Sequence, residues 1–325
     1  MMETTASPIF WVGFLALILG LLTMDLVVFH RRPHVVSAGE ASRWVAFWIG
    51  LAAAFNVFVY FEFGTAKALE FTAGYLVEEA LSVDNVFVFL IVFRYFHVPR
   101  ELQHRVLFFG ILGAIILRGI FIWIGATLIS QFSWVLYIFG AFLVFTGIKI
   151  VAQDEMQVHP ERNPVLKLLR RILPITADYM GTRFLVRAGE RWFATPLLAV
   201  LVVVEATDLV FAVDSIPAIF GITHDPFIVY TSNIFAILGL RALFMLLAGI
   251  MDKFHYLKYG LGIVLCFIGV KMLIAWFVHI PIEISLGVVV LLLGGSILLS
   301  FLRPVKPAES HGSGPDAGTE TPLEE

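Results

Sequence analysis

Val77-Glu78-Glu79-Ala80-Leu81-Ser82-Val83-Asp84-Asn85-Val86-Phe87-Val88-Phe89 sets three carboxylates and an asparagine inside an apolar run from about Phe71 to Phe96. A run of that length crosses a bilayer. A charge at membrane depth costs at least ~2.5–3.5 kcal/mol on insertion scales. Helix formation gains nothing from three of them, so they mark a site. A second stretch answers the first: Val204-Glu205-Ala206-Thr207-Asp208-Leu209-Val210-Phe211-Ala212-Val213-Asp214-Ser215-Ile216-Pro217.

The rest of the chain has the composition of a membrane protein. Of 325 residues, 59% are hydrophobic and 14% charged, with a mean hydropathy of +0.91. Soluble domains carry ~25% charged residues. The fold class expected is an all-α polytopic membrane protein. The net charge of −3 says little about partners, and no nucleic-acid partner is expected. Cys266 is the one cysteine, so no intrachain disulfide forms. Met1-Met2-Glu3 lacks a basic n-region and the following apolar run is too long for a signal peptide, so it reads as the first spanning helix.

Apolar runs predict nine spans, at about 9–29, 44–63, 71–96, 105–130, 133–151, 195–220, 227–250, 256–278 and 282–302. One long charged loop lies between them, at about 152–194. Within it, Pro164 to Leu173 has the pattern of a basic amphipathic helix lying on the membrane surface. Residues 1–302 form the transmembrane domain. Residues 303–325, rich in Pro, Gly, Ser and Glu, cannot bury a core and read as a disordered tail. The odd-numbered loops and the tail hold seventeen Lys and Arg residues, among them Arg31, Arg94, Arg170 and Lys253, whereas the even loops hold Lys67 alone. By the positive-inside rule the N-terminus lies outside and the C-terminus in the cytoplasm of a cell inner membrane.

Four basic residues inside spans expose an internal repeat. Asp84, Arg118 and Lys149 align with Asp208, Arg241 and Lys271 at offsets of 124, 123 and 122 residues. Gly140 and Gly147 align with Gly262 and Gly269. Repeat one covers about 71–151 and repeat two about 195–278. Each unit has three spans, so the copies point in opposite directions, the architecture of secondary transporters with a midplane site. The repeat predicts Asp84 and Asp208 close together near mid-membrane. The four glycines read as helix-packing positions.

Seven carboxylates fall inside the predicted spans: Asp25, Glu78, Glu79, Asp84, Glu205, Asp208 and Asp214. Arg118 and Arg241 stand near helix centres as ion-pair partners. Buried charge must be paired, protonated or bound to a cation. The acidic excess predicts a cation site, protonated acids, or both. Glu79 is one candidate partner for Arg118. On helical wheels Glu205 shares a face with Asp208, and Glu78 with Asn85. A break at Pro217 would swing Asp214 and Ser215 towards Asp208. Carboxylate, amide and carbonyl oxygens without thiolates favour Mn²⁺, Mg²⁺ or Ca²⁺.

The two acidic motifs, with Phe93-Arg94-Tyr95-Phe96, resemble the TerC family over nearly the whole chain. The resemblance implies a tellurium-resistance or manganese-export protein related to LysE-type transporters. It supports Glu79, Asp84, Asn85, Glu205, Asp208 and Asp214 as the acidic core; that they bind metal, with Asp25, Glu78 and Ser215 as further candidates, is inferred from their oxygen chemistry. No resident cofactor is expected, since the divalent ion would be cargo, with protons as counter-ion. Three functions compete: a divalent-metal exporter, a membrane scaffold for metal or tellurium stress, and an intramembrane aspartyl protease. The repeated arginines and extra carboxylates disfavour the protease.

Overall fold

A computed structural model of the protein describes residues 4–29, 38–132, 134–152, 163–189, 191–247, 256–278 and 280–302, with side chains of 25–29 and 38 excepted. The predicted disordered tail lies outside them. So do residues 153–162 of the long loop and the last predicted turn of the seventh span.

Among the described residues, each predicted span is a helix. They are α1 (Pro8–Phe29), α2 (Ala38–Phe63), α3 (Thr65–Tyr95), α4 (Arg100–Gln131), α5 (Val135–Ala152), α7 (Pro196–Phe220), α8 (Pro226–Leu247), α9 (Leu257–Ile274) and α10 (Ile282–Leu302). In the long loop lie α6 (Pro164–Ile172) and an antiparallel hairpin of β1 (Leu185–Ala188) and β2 (Arg191–Ala194). Seven helices, α2, α4, α5 and α7 to α10, are long and apolar enough to cross a membrane. The protein is a multi-pass membrane protein. Its α3 is long enough too, but Lys67, Glu70, Glu78, Glu79, Asp84 and Arg94 lower its hydropathy.

The centre of the bundle is α8, whose apolar window is wholly buried. It packs against α2, α3 and α4, while α7 packs against α3 and α4. A second contact joins α5 to α9 through glycines. A Cβ at Gly140 would stand 2.9 Å from the Gly269 carbonyl, and one at Gly269 would stand 2.6 Å from that of Gly140. Gly147 and Gly262 meet the same way. The higher-numbered glycine of α5 faces the lower-numbered one of α9, so these helices run antiparallel. Small residues here let backbones approach where lipid offers no hydrophobic drive.

Two cavities mark the ends of the bundle. One, of about 680 Å³, gathers the α2–α3, α7–α8 and α9–α10 connections and both ends of the α4–α5 one. Thr4 and Thr5 bond Asp225 at this end, so the N-terminus lies on the same side. The other, of about 610 Å³, lies where α3 ends and α7 begins, beside α6.

One expectation fails. The helix does not break at Pro217; α7 runs on to Phe220. The ring sits in the last turn, where few bonds remain to be lost. Ser215 to Phe220 are all buried and hold that turn in place.

Candidate charged centre

The α3 register places Glu78, Ser82 and Asn85 on one stripe, four and three residues apart. All three are buried. Antiparallel across the packed interface, α7 presents Glu205, Asp208, Ala212 and Ser215 on its own stripe. Between the stripes α4 inserts Arg118, which is fully buried.

Arg118 donates from Nη2 to Asp208 Oδ1 at 3.0 Å and from Nε to Oδ2 at 3.3 Å. This fork-to-fork geometry is what makes arginine the choice for a desolvated carboxylate. From Nη1 it bonds Glu78, Asn233 Oδ1 at 2.8 Å and Ser215 Oγ at 3.3 Å. Asn233 on α8 returns a bond from Nδ2 to Glu78 Oε2 at 3.1 Å. Four helices are tied by one guanidinium. Breaking such a network leaves an uncompensated buried charge and costs ~3–5 kcal/mol.

The centre corrects one expected pairing. Arg118 takes Glu78, not Glu79. The two glutamates are 100° apart on α3, and packing turns Glu78 inward. Glu79 is half-buried within electrostatic range of Glu78 and Tyr75. Glu205 is half-buried within range of Asp208, and its carboxylate fills the space that a Cβ at Gly113 would occupy. Ser215 joins the centre through Arg118 without a helix break. Asp214 points away, accepting a bond from Thr146 of α5 at 3.3 Å with Lys149 in range. Asp84 is half-buried, and no hydrogen bond joins it to Asp208 among the described residues. Arg241 is buried on α8. The side chain of Asp25 lies outside the described residues.

Four buried oxygens on α3 and α7, the helices that supply Glu78 and Asp208, have no hydrogen-bond partner among the described residues: Glu79 Oε2, Ser82 Oγ, Asn85 Oδ1 and Glu205 Oε2. Buried polar atoms are rarely left so. Counting only Asp, Glu, His and Cys, no group of three stands at metal-ligand spacing among the described residues. The oxygens in question are therefore mixed, two carboxylate, one amide and one hydroxyl. Sequence reasoning missed Asn233 and Ser82. Asn233 carried a visible mark, since Thr231-Ser232-Asn233 interrupts an apolar run.

Helical architecture and buried ion network define the class, a polytopic membrane protein with charge at its core. Residues 63–307 match the integral membrane protein TerC family, and the chain belongs to it. It is 48% identical over 317 residues to an uncharacterized membrane protein of Myxococcus xanthus, covering 97% of this chain and 99% of that one. It is 49% identical over 297 residues to Alx of Salmonella typhi, covering 89% and 92%. With Alx of Escherichia coli K12 the identity is 48% over 310 residues, covering 93% and 95%. Both Alx proteins are provisionally named membrane-bound redox modulators. No solved structure matches the chain.

Proposed function

We propose that the protein exports a divalent metal ion, Mn²⁺ first among candidates, by proton-coupled alternating access. The observation that carries this reading is the set of unpartnered buried oxygens of Glu79, Ser82, Asn85 and Glu205 beside a paired centre. A dehydrated hard cation supplies what those atoms lack. Arg118 balances part of the charge of Glu78 and Asp208 and leaves Glu79 and Glu205 for cargo or protons. Asp84 serves as an approach ligand on α3, the helix that also carries Glu79.

The transport reading uses nine spans, an outside N-terminus, a cytoplasmic C-terminus and an inverted repeat in the cell inner membrane. Helix contacts support the repeat. Exchanging α3, α4 and α5 for α7, α8 and α9 turns the α3–α8 contact into α7–α4. It turns the Gly140–Gly269 contact into Gly262–Gly147. Both members of each pair occur, as a two-fold relation between the repeats requires.

A scaffold without transport is the second reading, favoured by how completely Arg118 is satisfied. The redox-modulator name of the relatives finds no dithiol here, because Cys266 is the single cysteine of this sequence. Bidentate capture of Asp208 by Arg118 counts against a catalytic carboxylate pair. Proteoliposomes with an enclosed Mn²⁺ reporter and an imposed pH gradient decide. The exporter moves Mn²⁺ in step with the gradient. Absence of flux in folded, reconstituted protein assigns the centre to structure.

A further inference from the structure

The α6 helix is left unexplained by transport. Asn163 caps it, accepting from Val165 N at 2.9 Å, and Pro164 opens it. Leu166 is fully buried and Leu169 half-buried against the ends of the bundle helices. At 100° per residue the other residues divide into two arcs. Val165, Leu168 and Ile172 lie on one arc and are 41%, 54% and 68% exposed. Lys167, Arg170 and Arg171 lie on the opposite arc, also exposed. The helix is nine residues long and sits where α3 ends and α7 begins, at one end of the long apolar helices. Exposed Tyr95 and Trp192 belong to that same end, as interfacial aromatics do.

We infer that α6 and the cavity beside it form a docking surface for an anionic phospholipid. The exposed apolar arc lies against acyl chains. The basic arc and the cavity of about 610 Å³ lined by Arg170, Tyr95 and Tyr179 take the phosphate. Charge complementarity selects this partner. Residues 163–189 carry five basic side chains, Lys167, Arg170, Arg171, Arg183 and Arg187, against Asp178 alone. A zwitterionic lipid also offers a phosphate, but its own cation balances that charge, so the three cations of the basic arc favour a headgroup with net negative charge. The Tyr179 hydroxyl donates to the Phe96 carbonyl at 2.8 Å and so pins the cavity wall to the end of α3. The surface stands whichever cargo the bundle carries.

The test uses the full chain in nanodiscs of phosphatidylcholine with a minor share of phosphatidylglycerol, counting retained lipids by native mass spectrometry. Wild type retains phosphatidylglycerol in preference. Arg170→Gln and Arg171→Gln each weaken the preference about fivefold, the effect of one interfacial charge. The Arg170→Lys, Arg171→Lys pair keeps it, which separates charge from folding. Leu168→Ser with Ile172→Ser lowers retention of both lipids. Equal retention of the two lipids by wild type overturns the inference. So does an unchanged preference in the Gln variants, or loss of bound lipid to added inorganic phosphate, which would assign the basic arc to a soluble anion.

Discussion

The protein holds two charged regions, and they are built differently. At the bundle end beside the N-terminus, Lys67, Glu70 and Asp225 form a cluster in which every carboxylate is occupied. Lys67 meets Glu70 at 2.8 Å and Asp225 at 3.8 Å. Thr223 bonds Glu70, Thr4 and Thr5 bond Asp225, and the Phe227 amide donates to Asp225 Oδ1 at 3.0 Å. In the middle of the bundle Arg118 occupies Glu78 and Asp208, but Glu79 and Glu205 keep unpartnered buried oxygens. The end cluster is closed by hydroxyls and a helix start, which are permanent partners. The middle cluster is left incomplete, in the place where incompleteness costs most. The difference separates charge that fastens the fold from charge kept for a ligand.

Removing Arg118 tests the paired part and gives the largest effect. Arg118→Met leaves Glu78 and Asp208 buried without a cation and should cost ~3–5 kcal/mol, seen as loss of folded yield and a lower melting temperature in detergent. Asp208→Asn would serve on sequence grounds as a clean transport mutant. The structure makes it a fold mutant as well, because Arg118 loses one of two charged partners. A melting temperature near wild type for Arg118→Met would mean the centre does not hold the four helices together.

Gly269→Leu comes next. Its side chain would meet the Gly140 carbonyl and Val144 and force α5 from α9, at ~1–3 kcal/mol. If the repeat axis passes through this contact, Gly147→Leu at the equivalent position loses the same amount. Unequal losses measured side by side would break the symmetry argument.

The helices were legible because an apolar run of spanning length has few other fates, and the packing glycines because the repeat aligned them. Asn56 of α2 bridges to α3, its Nδ2 donating to Thr72 Oγ1 at 2.7 Å. What composition cannot show is rotation about a helix axis. The choice between Glu78 and Glu79 is a 100° turn set by contacts with α4 and α8. The hairpin was missed in a stretch read only as charged loop, although Leu185-Val186-Arg187-Ala188 and Arg191-Trp192-Phe193-Ala194 stand two residues apart, the spacing of a β-hairpin.

Glu205→Gln probes the incomplete part. The amide keeps shape and removes one charge whose Oε2 makes no hydrogen bond, so the stability change should stay below ~1 kcal/mol. Mn²⁺ flux in proteoliposomes should be lost. Retained flux would remove Glu205 from the ion path and leave its burial against Gly113 as packing.

The smallest effect belongs to Glu70→Gln at the bundle end. Its side chain is 17% exposed and that of Lys67 25%, so water and salt already weaken the pair. Gln keeps an oxygen for the Thr223 hydroxyl and loses the charge felt by Lys67 and, at longer range, by His224 and Lys271. Such pairs contribute ~0.2–1 kcal/mol, so the melting temperature should fall slightly and the fall should shrink in high salt. Flux should match wild type, because Lys67 and Thr223 both hold Glu70 and it is not among the buried oxygens without a partner. A Glu70→Gln protein that melts like wild type and yet fails to transport would place ion handling at the bundle end. The contrast between fastening charge and ligand charge would then have to be drawn the other way round.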